Sequence, residues 1–193
     1  MLLPAILYII WDSYFTRLGV WSFNDKYITG IKYVDLPVEE ILFFFVVPYC
    51  CVFIYECIRC YFPGINEQKI SDAILKFLSA GLLIAGFIFY QKDYTAFTFV
   101  GLSVSLFLFF IFRKYFSSLN SAVFLLAYGI ILLPFLLVNG FLTALPVVLY
   151  NDVENLGIRI YTIPFEDIFY GMLLIFLNIV IFEKLRNRHL IAR

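Results

Sequence analysis

Two stretches of this chain share one pattern: LPVEEILFFFVVPYCCVFIYE at residues 36–56 and IPFEDIFYGMLLIFLNIVIFE at residues 163–183. Each contains a proline, then an acidic pair, then an apolar run that is long enough to cross a bilayer, which takes about 20 residues. The two prolines, Pro37 and Pro164, lie 127 positions apart. A repeat that retains acidic residues within apolar sequence predicts a membrane protein with a site built from two equivalent halves.

The same offset relates other polar residues of the chain without a gap. It pairs Asp12 with Asn139, Asn24 with Asn151, Glu39 with Glu166, Glu40 with Asp167 and Glu56 with Glu183. Polar side chains are costly in a bilayer, so their retention at matched positions indicates a shared role.

The composition is that of an integral membrane protein. Of the 193 residues 63% are hydrophobic and only 15% are charged, whereas soluble domains average about 45–50% apolar and about 25% charged residues. The net charge is zero and no basic block is present, which argues against a nucleic-acid partner. A single histidine and the lack of a G-x-G-x-x-G motif argue against a metal centre and a dinucleotide, so we expect no cofactor and no metal.

Five apolar stretches are long enough to span a membrane, and a sixth, at residues 1–11, is about half that length. The five cover residues 38–58, 71–90, 94–112, 121–140 and 164–183. We therefore predict an all-α polytopic protein with about six transmembrane helices, in which two parallel repeats (residues 1–60 and 94–188) are joined by a linker helix (residues 71–90). Shifted back by the repeat offset, residues 94–112 fall before Met1, so a complete protein of this design would have seven helices.

The acidic pairs are the first candidates for chemistry. Pro37 and Pro164 suit the first turn of a helix, where carboxylates also interact favourably with the helix dipole. Capping needs only one acid, whereas both copies have two. Apolar surroundings favour the protonated form of a carboxyl group, and neighbouring carboxyls share protons. We therefore predict acid–base catalysis by Glu39, Glu40, Glu166 and Asp167.

Four further polar residues are predicted near the same membrane face: Asp12, Asn24, Asn139 and Asn151. They either hold the loops through turn hydrogen bonds or orient the acids. For Asp12 the alternative to a role in the site is an ion pair with Arg17. Glu56 and Glu183 belong to the opposite interface, where we expect ion pairs with neighbouring arginines or lysines.

Aromatic residues make up 21% of the chain. Most are expected to face lipid or to form the interfacial belts. Those near the acids are also candidates to line a site, where aromatic faces stabilise cations. The candidates are Trp11, Trp21, Phe43, Phe169 and Tyr170.

These residues resemble one enzyme family. The stretches IWDSYFTRLGVWSFNDKYITGI (residues 10–31), LPVEEILFFFVVPYCCVFIYE and YNDVENLGIRIYTIPFEDIFYG (residues 150–171) are similar to the heterodimer-type lycopene cyclases of bacteria and to the cyclase half of fungal bifunctional carotenoid enzymes. The family pattern is Pro-x-Glu-(Glu/Asp)-x-x-Phe in each of two halves. In the second copy Tyr170 replaces the phenylalanine, and the resemblance extends over residues 4–188.

The resemblance implies a multi-pass enzyme of the plasma membrane that forms β-ionone rings at the ends of lycopene without net redox change and without a flavin. The chain looks like a fused form of the two subunits. The implied partners are the lipid bilayer, the hydrophobic carotenoid substrate and other enzymes of the carotenoid pathway. We expect Glu39→Gln or Glu166→Gln to abolish cyclisation in a protein that still folds.

Two other functions remain open at this stage. Three helices, a linker and three helices also suit a small parallel-repeat transporter. The third alternative is a non-catalytic subunit that supports other carotenoid enzymes. The apolar middle of the helices argues against a water-filled transport path, and a pigment change in lycopene-accumulating cells would support the cyclase alone.

Overall fold

The computed structural model describes residues 1–65, 67–116 and 118–191. Their fold is a bundle of helices, which run as follows: α1 Leu2–Leu18, α2 Val38–Tyr61, α3 Gln68–Ile88, α4 Asp93–Ile111, α5 Ser121–Ala144 and α6 Glu166–Ile191. Within the described residues, α2 to α6 are each long and apolar enough to cross a membrane. The prediction of an all-α polytopic membrane protein is confirmed.

The first helix is longer than the sequence suggested. We expected an apolar segment over residues 1–11, but α1 continues to Leu18 and so includes Asp12. It ends at Gly19, which has a φ of 73°, and the amides of Gly19 and Val20 donate to the carbonyls of Thr16 and Phe15. This is a Schellman motif, which favours glycine because the left-handed conformation is strained for other residues.

The two long loops contain short strands: β1 Trp21–Phe23, β2 Lys32–Tyr33, β3 Leu36–Pro37, β4 Val148–Tyr150, β5 Arg159–Ile160 and β6 Ile163–Pro164. They form three antiparallel pairs, β1 with β4, β2 with β3 and β5 with β6. The β2–β3 hairpin of the first loop and the β5–β6 hairpin of the second are related by the repeat offset. Each hairpin leads directly into a helix that carries an acidic pair.

The β1–β4 pair joins the two long loops and is centred on Ser22 and Leu149, which lie 127 positions apart. Trp21 lies opposite Tyr150 and Phe23 lies opposite Val148, and the repeat offset relates Trp21 to Val148 and Phe23 to Tyr150. The flanking hydrogen bonds also match at this offset: the amide of Asn24 donates to Val147 and that of Asn151 donates to Val20. The contacts between the two loops thus follow the 127-residue offset.

Helix packing places the acid-bearing helices at the centre. Helix α4 packs between α3 and α6, and α2 contacts both α5 and α6. The core between these helices is filled by large side chains, among them Tyr8, Phe44, Leu102, Phe124 and Phe176, which are almost fully buried. Glu40 and Asp167, in the first turns of α2 and α6, line the same cavity, so these N-terminal turns lie near each other at one end of the bundle.

Ion pairs between side chains connect α2 and α6 at the end opposite the acidic pairs. Arg186 contacts Glu56 at 2.8 Å and also pairs with Glu183, while Arg59 contacts Glu56 at 2.7 Å and Glu183 at 3.9 Å. Glu183 is 1% exposed and also accepts a hydrogen bond from the Tyr55 hydroxyl at 2.9 Å. The expected ion pairs of Glu56 and Glu183 with arginines are present.

Candidate active site

A cavity lies where α1, α2, α4, α5 and α6 meet the two long loops. It holds about 780 Å³ of empty space, part of which is open to the outside. Its polar lining includes Asp12 from α1, Glu40 from α2, Asn139 from α5 and Asp167 from α6. The offset relates Asp12 to Asn139 and Glu40 to Asp167, so the repeat brings its matched polar residues together at one place.

Aromatic and aliphatic side chains form the rest of the cavity wall. Trp21, Phe43 and Tyr170, three of the five aromatic residues expected to line a site, are part of it, together with Phe135 and Leu174. Among the residues that line it, within the described chain, three are carboxylic acids and none is a lysine or an arginine. The described lining itself therefore contains no cation to balance negative charge.

Trp11 and Phe169, the other two of these five aromatic residues, have different surroundings. Trp11 lies behind the cavity wall, with its ring centroid 5.3 Å from that of Tyr170. Phe169 packs edge-on against Phe99 and Phe165 instead. Neither is among the cavity-lining residues. Sequence proximity to an acid does not fix direction, because neighbouring residues of a helix point about 100° apart.

Asp167 is the most strongly hydrogen-bonded acid of the cavity. It is 3% exposed, and its two oxygens accept from the Tyr94 hydroxyl at 2.5 Å and from the Tyr150 hydroxyl at 2.9 Å. Asn139 Nδ2 lies 3.5 Å from Asp167 Oδ2. Burial, followed by the neighbouring Asp167 charge, raises the pKa of the loop residue Tyr150 well above its usual value. Tyr150 therefore remains neutral and donates a hydrogen bond to Asp167.

Asp12 is paired with a tyrosine and not with a cation. The Tyr170 hydroxyl donates to Asp12 Oδ1 at 2.5 Å, and Asp12 is 3% exposed. Arg17, the alternative partner in the sequence analysis, forms an exposed ion pair with Asp35 at 2.6 Å. Of the two roles left open for Asp12, the geometry favours the one in the site.

Glu39 and Glu166, the first acids of the two pairs, bind the loops and not the cavity. Glu39 is exposed, and its Oε1 accepts a hydrogen bond from the backbone amide of Thr29 at 2.7 Å. Glu166 is fully buried, and its Oε1 accepts from the amide of Leu156 at 2.7 Å and from the Thr95 hydroxyl at 2.6 Å. Neither glutamate is among the residues that line the cavity.

Asn24 and Asn151 make turn hydrogen bonds within their own loops. The Asn24 side chain accepts from the amide of Lys26 and the Asn151 side chain accepts from the amide of Val153, both at 3.1 Å. Such bonds are the usual way in which asparagine stabilises a turn. These bonds correspond to the first of the two roles considered for Asn24 and Asn151, which is to hold the loops and not to orient the acids.

Two residues of the site were missed by sequence reasoning. Tyr94, at the start of α4, and Tyr150, in β4, both donate to Asp167. The available signal for Tyr150 was its place in the repeat, since its counterpart is Phe23, a residue without a hydroxyl group. The offset assigns Tyr94 no partner, and it is the packing of α4 on α6 that brings this residue to Asp167. Within the described residues no group of three or more His, Cys, Asp or Glu side chains is arranged to hold a metal ion.

Comparison with known proteins identifies relatives of this chain. A curated bifunctional lycopene cyclase/phytoene synthase of Phaeosphaeria nodorum is 40% identical over 45 residues, which are 23% of this chain and 8% of that protein. The enzyme of the same name from Aspergillus niger is 33% identical over 54 residues, which are 25% of this chain and 9% of that protein. The aligned part thus spans less than a tenth of these relatives, and no solved structure matches the chain significantly.

The match to a family model is far more extensive. The model described as lycopene cyclase matches residues 1–58 and 91–185, which include α1, both long loops and both acidic pairs. The unmatched residues between them contain the α3 helix. Because the match extends over well more than half of its residues, the chain belongs to the lycopene cyclase family of carotenoid-cyclising enzymes.

Proposed function

We propose that this protein closes β-ionone rings at the ends of lycopene by acid–base catalysis, without net redox change and without a cofactor. One observation carries the proposal: three carboxyl groups from three helices, Asp12, Glu40 and Asp167, line a single cavity. Such a cavity provides both a proton donor and a proton acceptor, which are the two groups that this reaction needs.

The apolar part of the cavity suits a hydrocarbon substrate. Apart from the acids, most of the lining is aromatic or aliphatic, and such surfaces bind a polyene by excluding water from both. The cavity lies at the N-terminal turns of α2 and α6, where it is partly open. A carotenoid dissolved in the bilayer would enter from the membrane and place one end beside the acids.

The charge of the lining supports proton donation. Three carboxylates would be costly in a buried apolar lining that contains no cation of its own, so we expect the group of acids to retain a proton. A protonated carboxyl next to an alkene is the proton donor that cyclisation requires. Trp21, Phe43 and Tyr170 line the cavity. The negative electrostatic potential at the faces of their neutral rings then stabilises the carbocation.

The geometry also divides the four acids of the sequence prediction into two kinds. Glu40 and Asp167 line the cavity, and we assign the chemistry to them. Glu39 and Glu166 hold backbone amides of the loops, and we assign them a positioning role. Asp12 and Asn139 complete the cavity as supporting groups.

We further propose that the chain is a fused two-repeat form of the bacterial heterodimer type, resident in the plasma membrane as a multi-pass protein. Its repeats would be residues 1–60 and 94–188, joined by the linker helix at residues 71–90. The matching hairpins and the matching hydrogen bonds of Asn24 and Asn151 support this division. The gap in the family match, between residues 58 and 91, falls on the same linker.

Expression in lycopene-accumulating cells tests the proposed reaction. We expect the protein to convert red lycopene into yellow-orange products with β-rings, identified by chromatography and absorption spectra. The double variant Glu40→Gln/Asp167→Asn should leave lycopene unchanged. Asp25→Asn is the matched control, because Asp25 is an exposed acid that pairs with Lys32.

Two results would contradict this function. The first is unchanged lycopene in cells whose membranes contain the folded protein. The second is full conversion by the double variant. A transporter, the main alternative, would instead show solute flux in proteoliposomes and no change of pigment.

A further inference from the structure

The two cavity acids at matched repeat positions have different surroundings. Asp167 accepts hydrogen bonds from two phenols, those of Tyr94 and Tyr150. Glu40 is half-buried, and among the described residues no hydrogen bond or ion pair reaches its carboxyl group. Equivalent positions in the sequence have thus become chemically unequal in the folded protein.

The inequality arises from residues that the repeat does not duplicate. Tyr94 belongs to α4. The offset relates residues 1–66 to residues 128–193, so it assigns Tyr94 no partner. The counterpart of Tyr150 is Phe23, which has no hydroxyl group to donate. Neither donor to Asp167 is therefore matched by a second hydroxyl group at the offset.

Hydrogen bonds from two phenols favour one protonation state of the acid that accepts them. A carboxylate is purely an acceptor, and hydrogen bonds to a charged oxygen are about twice as strong as neutral ones. Tyr94 and Tyr150 occupy both oxygens of Asp167, so a proton on either oxygen would weaken one of these bonds. Without such donors Glu40 is the group that loses least by being protonated.

Building on the proposed function, we propose that Glu40 donates the proton that starts cyclisation and that Asp167, held by Tyr94 and Tyr150, removes the proton that ends it. In the first step the O–H proton of Glu40 adds to the terminal double bond of lycopene, which leaves a tertiary carbocation and the Glu40 carboxylate. The electron pair of the nearby internal double bond then forms the new carbon–carbon bond, which closes the six-membered ring and moves the cation into it.

Asp167 completes the reaction by removing one proton, which offsets the proton that Glu40 added. It accepts a proton from the ring carbon beside the cation, and the electrons of that C–H bond become the ring double bond. The product is an isomer of the substrate, with no electron gained or lost. The proton on Asp167 then returns to Glu40 within the cavity, which restores both groups for the next turnover.

This assignment makes Asp167 the residue that determines ring type. The ring cation can lose a proton from the carbon that joins the polyene, from the neighbouring ring methylene or from the attached methyl group. These losses give the β-ring, the ε-ring and an exocyclic double bond, respectively. A fixed base removes one of these protons, so we expect Asp167 to determine the ring type, which is the β-ring in the proposed reaction.

Single variants separate the two roles. We expect Glu40→Gln to leave lycopene uncyclised, with conversion reduced at least 100-fold, because no cation forms. We expect Asp167→Asn to convert lycopene more slowly but still to close rings, now as a mixture of double-bond isomers. Chromatography with NMR of the products from lycopene-accumulating cells measures both effects, in variants shown by size-exclusion chromatography to be folded.

The tyrosines provide a second, milder test. Tyr94→Phe and Tyr150→Phe each remove one donor from Asp167 and should raise the share of isomers other than the β-ring. Tyr128→Phe is the matched control, because this buried hydroxyl donates to the carbonyl of Ile168 and not to an acid. It should leave the product distribution unchanged.

Two outcomes would overturn the assignment while the proposed function stands. One is an active wild type in which Asp167→Asn, though folded, forms no ring of any kind. The other is a pure β-ring product from both tyrosine variants at the wild-type rate. An inactive wild type would instead count against the proposed function itself, so the two failures are distinguishable.

Discussion

Glu39 and Glu166 occupy matched positions of the repeat and accept hydrogen bonds from two backbone amides, those of Thr29 and Leu156, that are matched at the same offset. Each bond joins the start of an acid-bearing helix to the loop before it. The two bonds differ in their surroundings, because Glu39 is exposed whereas Glu166 is fully buried and also binds the Thr95 hydroxyl.

Removal of the buried member of this pair should destabilise the protein. Glu166→Ala would leave the Leu156 amide and the Thr95 hydroxyl without their acceptor, which costs about 1–3 kcal/mol for each buried group. Glu166→Gln retains an oxygen that both donors can reach, so we expect it to keep most of its stability and activity. Thermal unfolding in detergent and pigment conversion measure the two effects.

Glu39→Ala is the control for this comparison. Its amide partner lies at the surface and can bind water, so we expect a loss of less than about 1 kcal/mol. Equal destabilisation by the two alanine variants would contradict the stabilising role of the buried hydrogen bonds that Glu166 accepts. Abolished activity in a folded Glu166→Gln variant would return this residue to the catalytic group first expected from the sequence.

A close contact between α3 and α4 makes Gly86 sensitive to substitution. A β-carbon at Gly86 would lie 2.7 Å from Cγ2 of Val100, which is too close for atoms that do not move. We expect Gly86→Ala to lower stability by about 1–3 kcal/mol, as is typical of overpacking. Gly81→Ala on the same helix meets nothing within 4 Å and should be neutral or stabilising, by up to about 1 kcal/mol. Equal unfolding temperatures would rule out this contact.

The ion pairs at the far end of α2 and α6 predict a second stability difference. Arg186→Met would remove one of the arginines that contact the buried Glu183. Loss of one member of a buried pair costs about 3–5 kcal/mol. This is an upper bound here, because Arg186 is partly exposed and Arg59 and Tyr55 still contact Glu183. Arg17→Met removes a cation from an exposed pair and should cost less than about 1 kcal/mol. Both should cyclise lycopene when folded. If Arg186→Met lowered the free energy of unfolding by less than Arg17→Met does, the prediction would be wrong.

The second loop should loosen in acid. Partial burial acts to raise the pKa of Asp152, but hydrogen bonds from Asn155 and Arg159 outweigh this and hold that pKa below its usual value. Asp152 thus stabilises the loop above its unfolded pKa of about 3.9, and this contribution is lost as the pH falls through the lower folded value. Hydrogen exchange of residues 151–160, followed between about pH 5 and about pH 2, measures the loss of this stabilising contribution. If the loop of the Asp152→Asn variant loosened in acid to the same extent, protonation of Asp152 would not be the cause.

The sequence determined the helices of the membrane bundle and the family. Apolar length and prolines are local properties, so the predicted span at residues 38–58 corresponds to α2 and that at 164–183 to α6. The repeat offset likewise marked the polar positions that meet in the cavity. These features needed no knowledge of packing, because a bilayer selects for apolar length directly.

Tertiary structure alone decided which acid of each pair faces the cavity and which partners it finds. Glu39 and Glu40 are adjacent in the chain, so a turn of about 100° between them sends one to the loop and the other inward. The sequence does not reveal which, because a membrane helix is apolar on every side and its inward face carries no hydrophobic signal. The hydroxyls of Tyr94 and Tyr150 reach Asp167 only through the packing of α4 and the pairing of β1 with β4.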